Sequence, residues 1–274
     1  MARQRLQETT MKTSTERMIA RKDGPIGWMQ FNNPARHNAV SLDMWKAVPE
    51  IMAEFERDDQ IRVAVLGGAG GKAFISGADI SEFAEKRSSP ESVLEYNRIA
   101  GLANAAIIDF RKPTIAMIQG YCVGGGLGVA LCCDLRLAAE DARFAVPAAK
   151  LGLGYAFDGI KRLVDVVGPS FAKEIFYTAR QFNAAEALQM GLVNRVVAVA
   201  DIETFVRDYA GTIGGNAPLT INSVKLCVNE AVKDPDKRNL AAAQVAVDGC
   251  FASADYVEGR TAFMEKRKPA FRGR

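Results

Sequence analysis

The sequence predicts an α/β domain that ends in a wholly helical region. Three observations predict it. Short apolar runs alternate with helical patterns from Met18 onward. Glycine and proline mark the junctions between them. Beyond about Thr212 only helical patterning continues, with no further strand. Alternation of this kind is what strands backed by helices produce.

In order, Met18 opens one strand and Ile26 another that ends at Phe31, with Lys22-Asp23-Gly24-Pro25 as the turn between them. Asn32-Asn33-Pro34 breaks the pattern. Ser41 is placed as the N-cap of a helix over residues 44–55, in which Pro49 predicts a kink or a late start. Residues 62–66 form a short strand whose unbroken apolar run predicts burial on both faces. A glycine-rich connection follows it. Ser89-Pro90-Glu91 starts a helix, the serine capping and the proline in the first turn, that runs to about Phe110. Residues 114–119 form a strand after Pro113; a helix opens near Leu127, after Gly124-Gly125-Gly126, and reaches Cys133. Residues 134–139 and 143–146 read as two short strands, and past Gly159 the pattern is helical. Asn183 and Glu186 make a capping box, and Asp201 starts another helix. The expected organisation is a solvated, flexible tail over residues 1–17, a core over 18–211 and a helical region over 212–274.

Composition narrows the class. The chain has 274 residues, 49% hydrophobic and 24% charged, the balance of an ordinary globular protein long enough to bury a large core. A net charge of +3 is too small for a nucleic-acid footprint. No apolar run approaches a membrane span. The five cysteines (Cys122, Cys132, Cys133, Cys227 and Cys250) are odd in number, include no C-x-x-C pair and read as buried thiols in a reducing compartment. The expectation is a cytoplasmic protein. The alternative is the mitochondrial matrix, if the Arg-, Lys-, Ser- and Thr-bearing first residues act as a transit peptide; Glu8 and Glu16 argue against that.

Several chemistries are absent from the sequence. A P-loop ending at Gly71-Lys72 would need glycine at Leu66 and a hydroxyl residue at Ala73. The Gly124 segment places Val129 where a dinucleotide-binding loop needs its last glycine. Ser76 has Phe74 and Ala78 where a nucleophile elbow needs glycines. His37 is the single histidine, which excludes multi-histidine metal sites. It sits after an Asn-Pro turn, as a solvated or substrate-contacting loop residue.

The glycine triplet feeding an apolar helix is the chemically suggestive feature. Glycines let backbone approach a ligand, and the first amides of a helix have no intrahelical acceptor and carry the positive end of its dipole. With a second amide from another loop they would form an oxyanion hole, in which one donor is worth roughly 3 kcal/mol. Tight helix–strand packing would use the same glycines without any ligand.

Several segments together carry a resemblance. These are Asn32-x-Pro34-x3-Asn38-Ala39, Ala73-Phe74-x2-Gly77-Ala78-Asp79-Ile80, Lys112-Pro113-Thr114-Ile115-Ala116 and Gly120-x3-Gly124-Gly125-Gly126. Cys133-Asp134-Leu135-Arg136, Ala184-x-Glu186-Ala187-x3-Gly191-Leu192-Val193 and Phe263-x2-Lys266-Arg267-Lys268-x2-Phe271 follow in order. In this the chain resembles the enoyl-CoA hydratase/isomerase (crotonase) family over nearly everything after residue 17.

The resemblance implies a crotonase-like spiral of ββα turns over 18–211 that holds the acyl-CoA site, with a C-terminal helical trimerisation region over 212–274, assembled as a homotrimer or a hexamer made of two trimers. It implies a coenzyme A thioester as substrate and no tightly bound cofactor. By position, the oxyanion amides would be those of Ala78 and Gly125. Ser76 and Ile80 would offer backbone groups to the adenine, and Arg36 would lie near the CoA phosphates. Ala39 and Asp79 are placed with the same cofactor-binding set. Phe263 and Lys266 would reach the CoA of a neighbouring subunit.

The chain departs from the family where hydratases keep two glutamates. Those positions hold Gly128 and Ala148. Neither can move a proton, so the two-glutamate addition of water is not available. Tyr155 and Asp158, in the loop ahead of the next helix, are the candidate proton carriers, Asp158 alternatively serving as an N-cap. The small residues also leave room for a bicarbonate ion or a carboxylated substrate. The expected activity is acyl-CoA processing: hydratase-like by family, with isomerisation, decarboxylation, C–C cleavage or thioester hydrolysis as alternatives, and non-catalytic acyl-CoA binding as the alternative class.

Overall fold

The computed structural model describes residues 8–79 and 89–274. Eleven described strands form two sheets. The larger has the order β1-β2-β3-β4-β6-β8-β11 and the smaller β10-β9-β7-β5. In the larger sheet β1 (Thr9–Met11), β2 (Met18–Asp23) and β3 (Ile26–Phe31) pair antiparallel. From β3 on, β4 (Val63–Gly68), β6 (Thr114–Ile118), β8 (Leu135–Ala139) and β11 (Arg195–Val197) are all parallel. The smaller sheet runs β5 (Ala73–Ile75), β7 (Tyr121–Val123) and β9 (Arg143–Ala145) in parallel, with β10 (Phe182–Asn183) antiparallel at its edge.

Each turn of the chain therefore gives one strand to the large sheet, a shorter one to the small sheet, and then a helix. β4 and β5 lead to α2 (Pro90–Ile108), and β6 and β7 lead to α3 (Gly125–Cys132). β8 and β9 lead through a single 3-10 turn, Pro147–Lys150, to α4 (Phe157–Thr178), which breaks at Gly168-Pro169. The first turn is abbreviated: β3 is followed by a lone parallel bridge from Val40 to Ala78, then by α1 (Leu42–Arg57). This is a spiral of ββα units.

Side chains alternate across the large sheet and both faces are covered. Ile26, Trp28, Val63, Val65, Ile115, Met117, Leu137 and Ala139 pack against Ile202, Val206 and Ala210 of α6 (Ile202–Gly214). The intervening residues, among them Met29, Phe31, Ala64, Leu66, Ala116 and Ile118, face the main core with α1, α2 and α3. The expected two-sided burial of residues 62–66 follows from this double cover.

Two of the segments that carry the resemblance are structural clamps. Asp134 Oδ2 accepts from Thr114 N (2.7 Å), Thr114 Oγ1 (3.0 Å) and Lys225 Nζ (2.9 Å), tying β6 to β8 and to α7 (Pro218–Ala231). Arg136 is buried and donates to Leu192 O (2.7 Å) and Cys133 O (2.8 Å). α8 (Leu240–Phe251) and α9 (Ala254–Met264) complete the helical end.

Some expectations need correction. The tail contributes β1, whose Thr10 pairs with Arg21; three residues are too few to announce a strand by pattern. β5, β7, β10 and β11 are short for the same reason, and the last two interrupt the stretch read as purely helical. Pro49 lies inside an unbroken α1, because burial of Met44, Trp45, Val48, Ile51, Met52 and Phe55 outweighs one lost hydrogen bond. Ser41 is at the N-cap, but its hydroxyl bonds to Asp43 instead of a helix amide. α3 begins at Gly125, two residues before the expected start near Leu127. α6 continues to Gly214, past the boundary expected at residue 211. Ser89 of α2 and Asn183, at the start of α5 (Ala184–Gln189), cap as expected, and each has a reciprocating partner, Ser92 and Glu186.

Candidate active site

Two loops zip together beside the start of α3. Val40 N donates to Gly77 O (2.9 Å), Asp79 N to Val40 O (3.0 Å) and Ser76 N to His37 O (3.1 Å). Asn38 is fully buried and fixes the first loop: its Nδ2 donates to Ala69 O (2.9 Å) and Ala73 O (2.7 Å), and its Oδ1 accepts from Asn33 N (2.9 Å). The direction of the Ala78 amide follows. The carbonyl of Gly77 points at Val40, and across a trans peptide the N–H of Ala78 points the opposite way. No acceptor among the described residues takes it.

Gly125 lies close to this amide. A Cβ placed on Gly125 would lie 3.8 Å from Ala78 N and 4.0 Å from Trp45 Cζ2. Gly124, the N-cap of α3, has φ 55° and ψ −114°, and its N–H is anchored on Ala145 O at 2.8 Å. A side chain would strain this left-handed turn. Gly126 then presses on β5, where an added Cβ would sit 2.2 Å from Ile75 O. Gly125 N, at the first position of α3, has no described acceptor. Trp45 and Tyr96 wall this corner, Trp45 Nε1 donating to Tyr96 Oη at 2.8 Å.

Tyr155 joins the group. Its hydroxyl donates toward Gly124 O at 3.5 Å and its ring stacks edge-on against Phe176 at 5.0 Å. Desolvation pushes the phenol pKa up although the residue is 36% exposed, and the charge of Arg162 opposes the rise. Cys132 Sγ bonds Gly128 O at 3.2 Å, and burial pushes its thiol pKa up to about 11 against the charges of Arg162 and Arg136. Cys122, Cys132 and Cys133 are buried as expected, whereas Cys227 and Cys250 are half-buried.

Space is present at Gly128. A Cβ on Gly128 would meet no atom within 4 Å. Ala148 is buried in the 3-10 turn that packs on α4.

Ala78, Gly125 and Tyr155 are thus brought together. Asp158 is not: it is exposed in the first turn of α4, whose N-cap is Ala156, so it caps nothing and favours the helix dipole instead. Arg36 is tied to Asp79 at 2.9 Å, and Ser76 Oγ donates to Arg36 O at 3.3 Å. Ala39 is buried, its carbonyl taken by Asn33 Nδ2 at 3.1 Å. His37 is an exposed loop residue at φ 51° whose ring meets Tyr121 edge-on. Ile80 lies outside the described residues. Phe263, 82% exposed, and Lys266, at φ 54°, are at the far end of α9. Trp45, Tyr96 and Arg162 carried no sequence signal beyond ordinary helix positions.

Comparison with known proteins shows what the chain as a whole is similar to. The family described as enoyl-CoA hydratase/isomerase matches residues 21–274. The short-chain-enoyl-CoA hydratase of Clostridium acetobutylicum is 34% identical over 92% of this chain and 95% of its own. A carnitinyl-CoA dehydratase of Salmonella paratyphi A is 33% identical over 95% of this chain and all of its own. Among solved structures, an enoyl-CoA hydratase/carnithine racemase from Magnetospirillum magneticum superposes with a TM-score of 0.89 at 34% identity, covering 96% of this chain and 97% of the other.

Proposed function

The chain belongs to the enoyl-CoA hydratase/isomerase family and is an enzyme of that family, and on that premise we propose that it polarises the thioester carbonyl of an acyl-CoA between the amides of Ala78 and Gly125. The observation that carries this reading is the approach of Gly125 to the outward-turned Ala78 N–H, with neither amide taken by a described acceptor. Two such donors stabilise negative charge on the oxygen as an enolate forms, and they are fixed before substrate arrives.

Proton transfer takes a different route from that of a two-glutamate hydratase, since Gly128 and Ala148 stand at those positions. Tyr155 is the group we assign to it. Its raised pKa keeps the phenol protonated at neutral pH, ready to donate to the carbon skeleton of the bound acyl group. Asp158, solvent-exposed, is a less suitable candidate. The reaction is therefore an enolate-type isomerisation, decarboxylation, C–C cleavage or hydrolysis of an acyl-CoA. No tightly bound cofactor is required.

The CoA moiety is placed along the zipped loops, with the adenine at the backbone of Ser76 and Ile80 and the phosphates near the Arg36–Asp79 pair and Ala39. Phe263 and Lys266 serve a neighbouring subunit in a homotrimer or hexamer. Apolar side chains exposed on α7 to α9, including Val224, Val245, Phe251, Phe263 and Met264, and an apolar groove of about 910 Å³ between these helices support such an assembly. Among the described residues no helix is long and apolar enough to cross a membrane.

The test is turnover. A panel of crotonyl-, branched, aromatic and carboxylated acyl-CoAs, followed by mass spectrometry, is expected to give product with at least one member. Gly125→Pro deletes one amide at a helix position that tolerates proline, and the expected loss is about 10²- to 10³-fold in kcat. Undiminished turnover in Gly125→Pro would remove the reading.

A further inference from the structure

The strand that leads into Ala78 does not fix the direction of its amide alone. β5 has three residues, and its register against β7 shifts between Ala73 and Ile75. A ladder so short and irregular leaves the path of residues 76–79 to other contacts. Those contacts come from the loop around Asn38. His37 O accepts from Ser76 N, Val40 N donates to Gly77 O, and Val40 O accepts from Asp79 N. The loop thus grips the chain on both sides of Ala78.

The loop is itself held by the side chain of Asn38, which is wholly buried. Its Nδ2 donates to Ala69 O at 2.9 Å and to Ala73 O at 2.7 Å, at the two ends of the connection from β4 to β5. Its Oδ1 accepts from Asn33 N at 2.9 Å. Gly68 makes the room for this carboxamide, since an added Cβ there would stand 2.7 Å from Asn38 Nδ2. His37 and Asn38 both have left-handed backbone, with φ of 51° and 55°. Asparagine adopts that conformation more readily than most residues with a side chain. Asn33, half-buried, braces the outer side of the loop, its Nδ2 donating to Ala39 O at 3.1 Å.

Loss of the Asn38 side chain would strip a donor from the buried Ala73 O and free Ala69 O to turn toward water. β5 begins at Ala73, so the shift passes along it to residues 76–79. A hydrogen bond weakens steeply with misalignment, and a misplacement near 1 Å in a catalytic constellation costs about 10²-fold.

We propose that Asn38, braced by Asn33, is a positioning residue that aims the Ala78 N–H at the thioester carbonyl. It acts through the main chain, because its side chain is buried and both its polar atoms are spent on backbone groups. This rests on the acyl-CoA reading above and deepens it by naming what directs one of the two donors.

Isotope-edited infrared spectroscopy of the full-length protein saturated with crotonyl-CoA, labelled with carbon-13 at the thioester carbonyl, tests this. Asn38→Gly removes the side chain and leaves the left-handed backbone unstrained. It is expected to lose about half or more of the wild-type displacement of the carbonyl band from its position in water, as disabling one of two donors would. Asn33→Ala is expected to lose a smaller part. The band position belongs to each bound molecule and does not scale with the folded fraction, so a merely structural role for Asn38 would leave it in place. An unchanged band in Asn38→Gly, with Gly125→Pro still moving it, overturns the proposal and leaves the acyl-CoA reading standing. If Asn38→Gly does not fold, Asn33→Ala decides, and an unchanged band there overturns the proposal equally. A wild-type band at its position in water overturns both.

Discussion

Gly125 and Gly126 divide the work at the start of α3. Gly126 is there for packing: its Cα lies so close to β5 that a methyl group would sit 2.2 Å from Ile75 O. Gly126→Ala should cost about 1–3 kcal/mol in urea unfolding, as overpacking does. Gly128 is different, since a side chain there enters open space. The double variant Gly128→Glu/Ala148→Glu should fold and gain crotonyl-CoA hydration at least about 10²-fold above the wild type, measured by loss of enoyl absorbance. Tyr155→Phe should lower kcat by about 10²- to 10⁴-fold with little change in KM. Because the Tyr155 pKa is raised by desolvation, the wild-type rate should not fall with rising pH until beyond the ordinary tyrosine value near pH ~10. The glycine triplet was legible as a ligand-approach device from sequence. Trp45 and Tyr96, which wall that corner, were not, because they read as ordinary helix positions.

Elements with chemical punctuation were legible, and those without it were not. Ser89 with Pro90, and Asn183 with Glu186, marked two helix starts in the sequence, and both serve as caps in the structure. The strands β5 and β7 have three residues each, too short for alternation to register, yet they orient Ala78 and Gly125. The segment after α9 shows how a carboxylate can hold an element. Glu258 accepts from Arg267 (2.6 Å) and from Ala270 N (2.8 Å), which brings its pKa down to about 2 from an ordinary 4.5. A folded-state pKa below the unfolded one gives stabilisation that is complete above pH 4.5 and lost as pH falls toward 2. Protection of the Ala270 amide from hydrogen exchange should therefore hold at neutral pH and decline across that window. Glu258→Gln should abolish the decline by removing the titration.

At the scale of the molecule, the spiral is what turns distant residues into neighbours. Successive turns place β4, β6 and β8 side by side, and β5 and β7 pair in the second sheet; the loops after β5 and β7 are where we propose that two amides converge. The alternation of strands and helices was readable in outline from the apolar runs, whereas the ββα order was implied only by the family resemblance. The division into two sheets was not, since it depends on which strands pair. Nor did sequence show the apolar surface of α7 to α9, because helices exposed in one chain and covered in an assembly share the same periodicity. Light scattering should give three or six times the monomer mass, and charged substitutions at Val245 and Phe251 should lower it. The central claim is the convergence on one carbonyl oxygen. Isotope-edited infrared spectroscopy of a bound acyl-CoA, labelled with carbon-13 at the thioester carbonyl, reads it directly. The account predicts a carbonyl stretch shifted to lower frequency than in water, with the shift reduced in Gly125→Pro. A stretch unchanged from water, or one indifferent to that substitution, would contradict it.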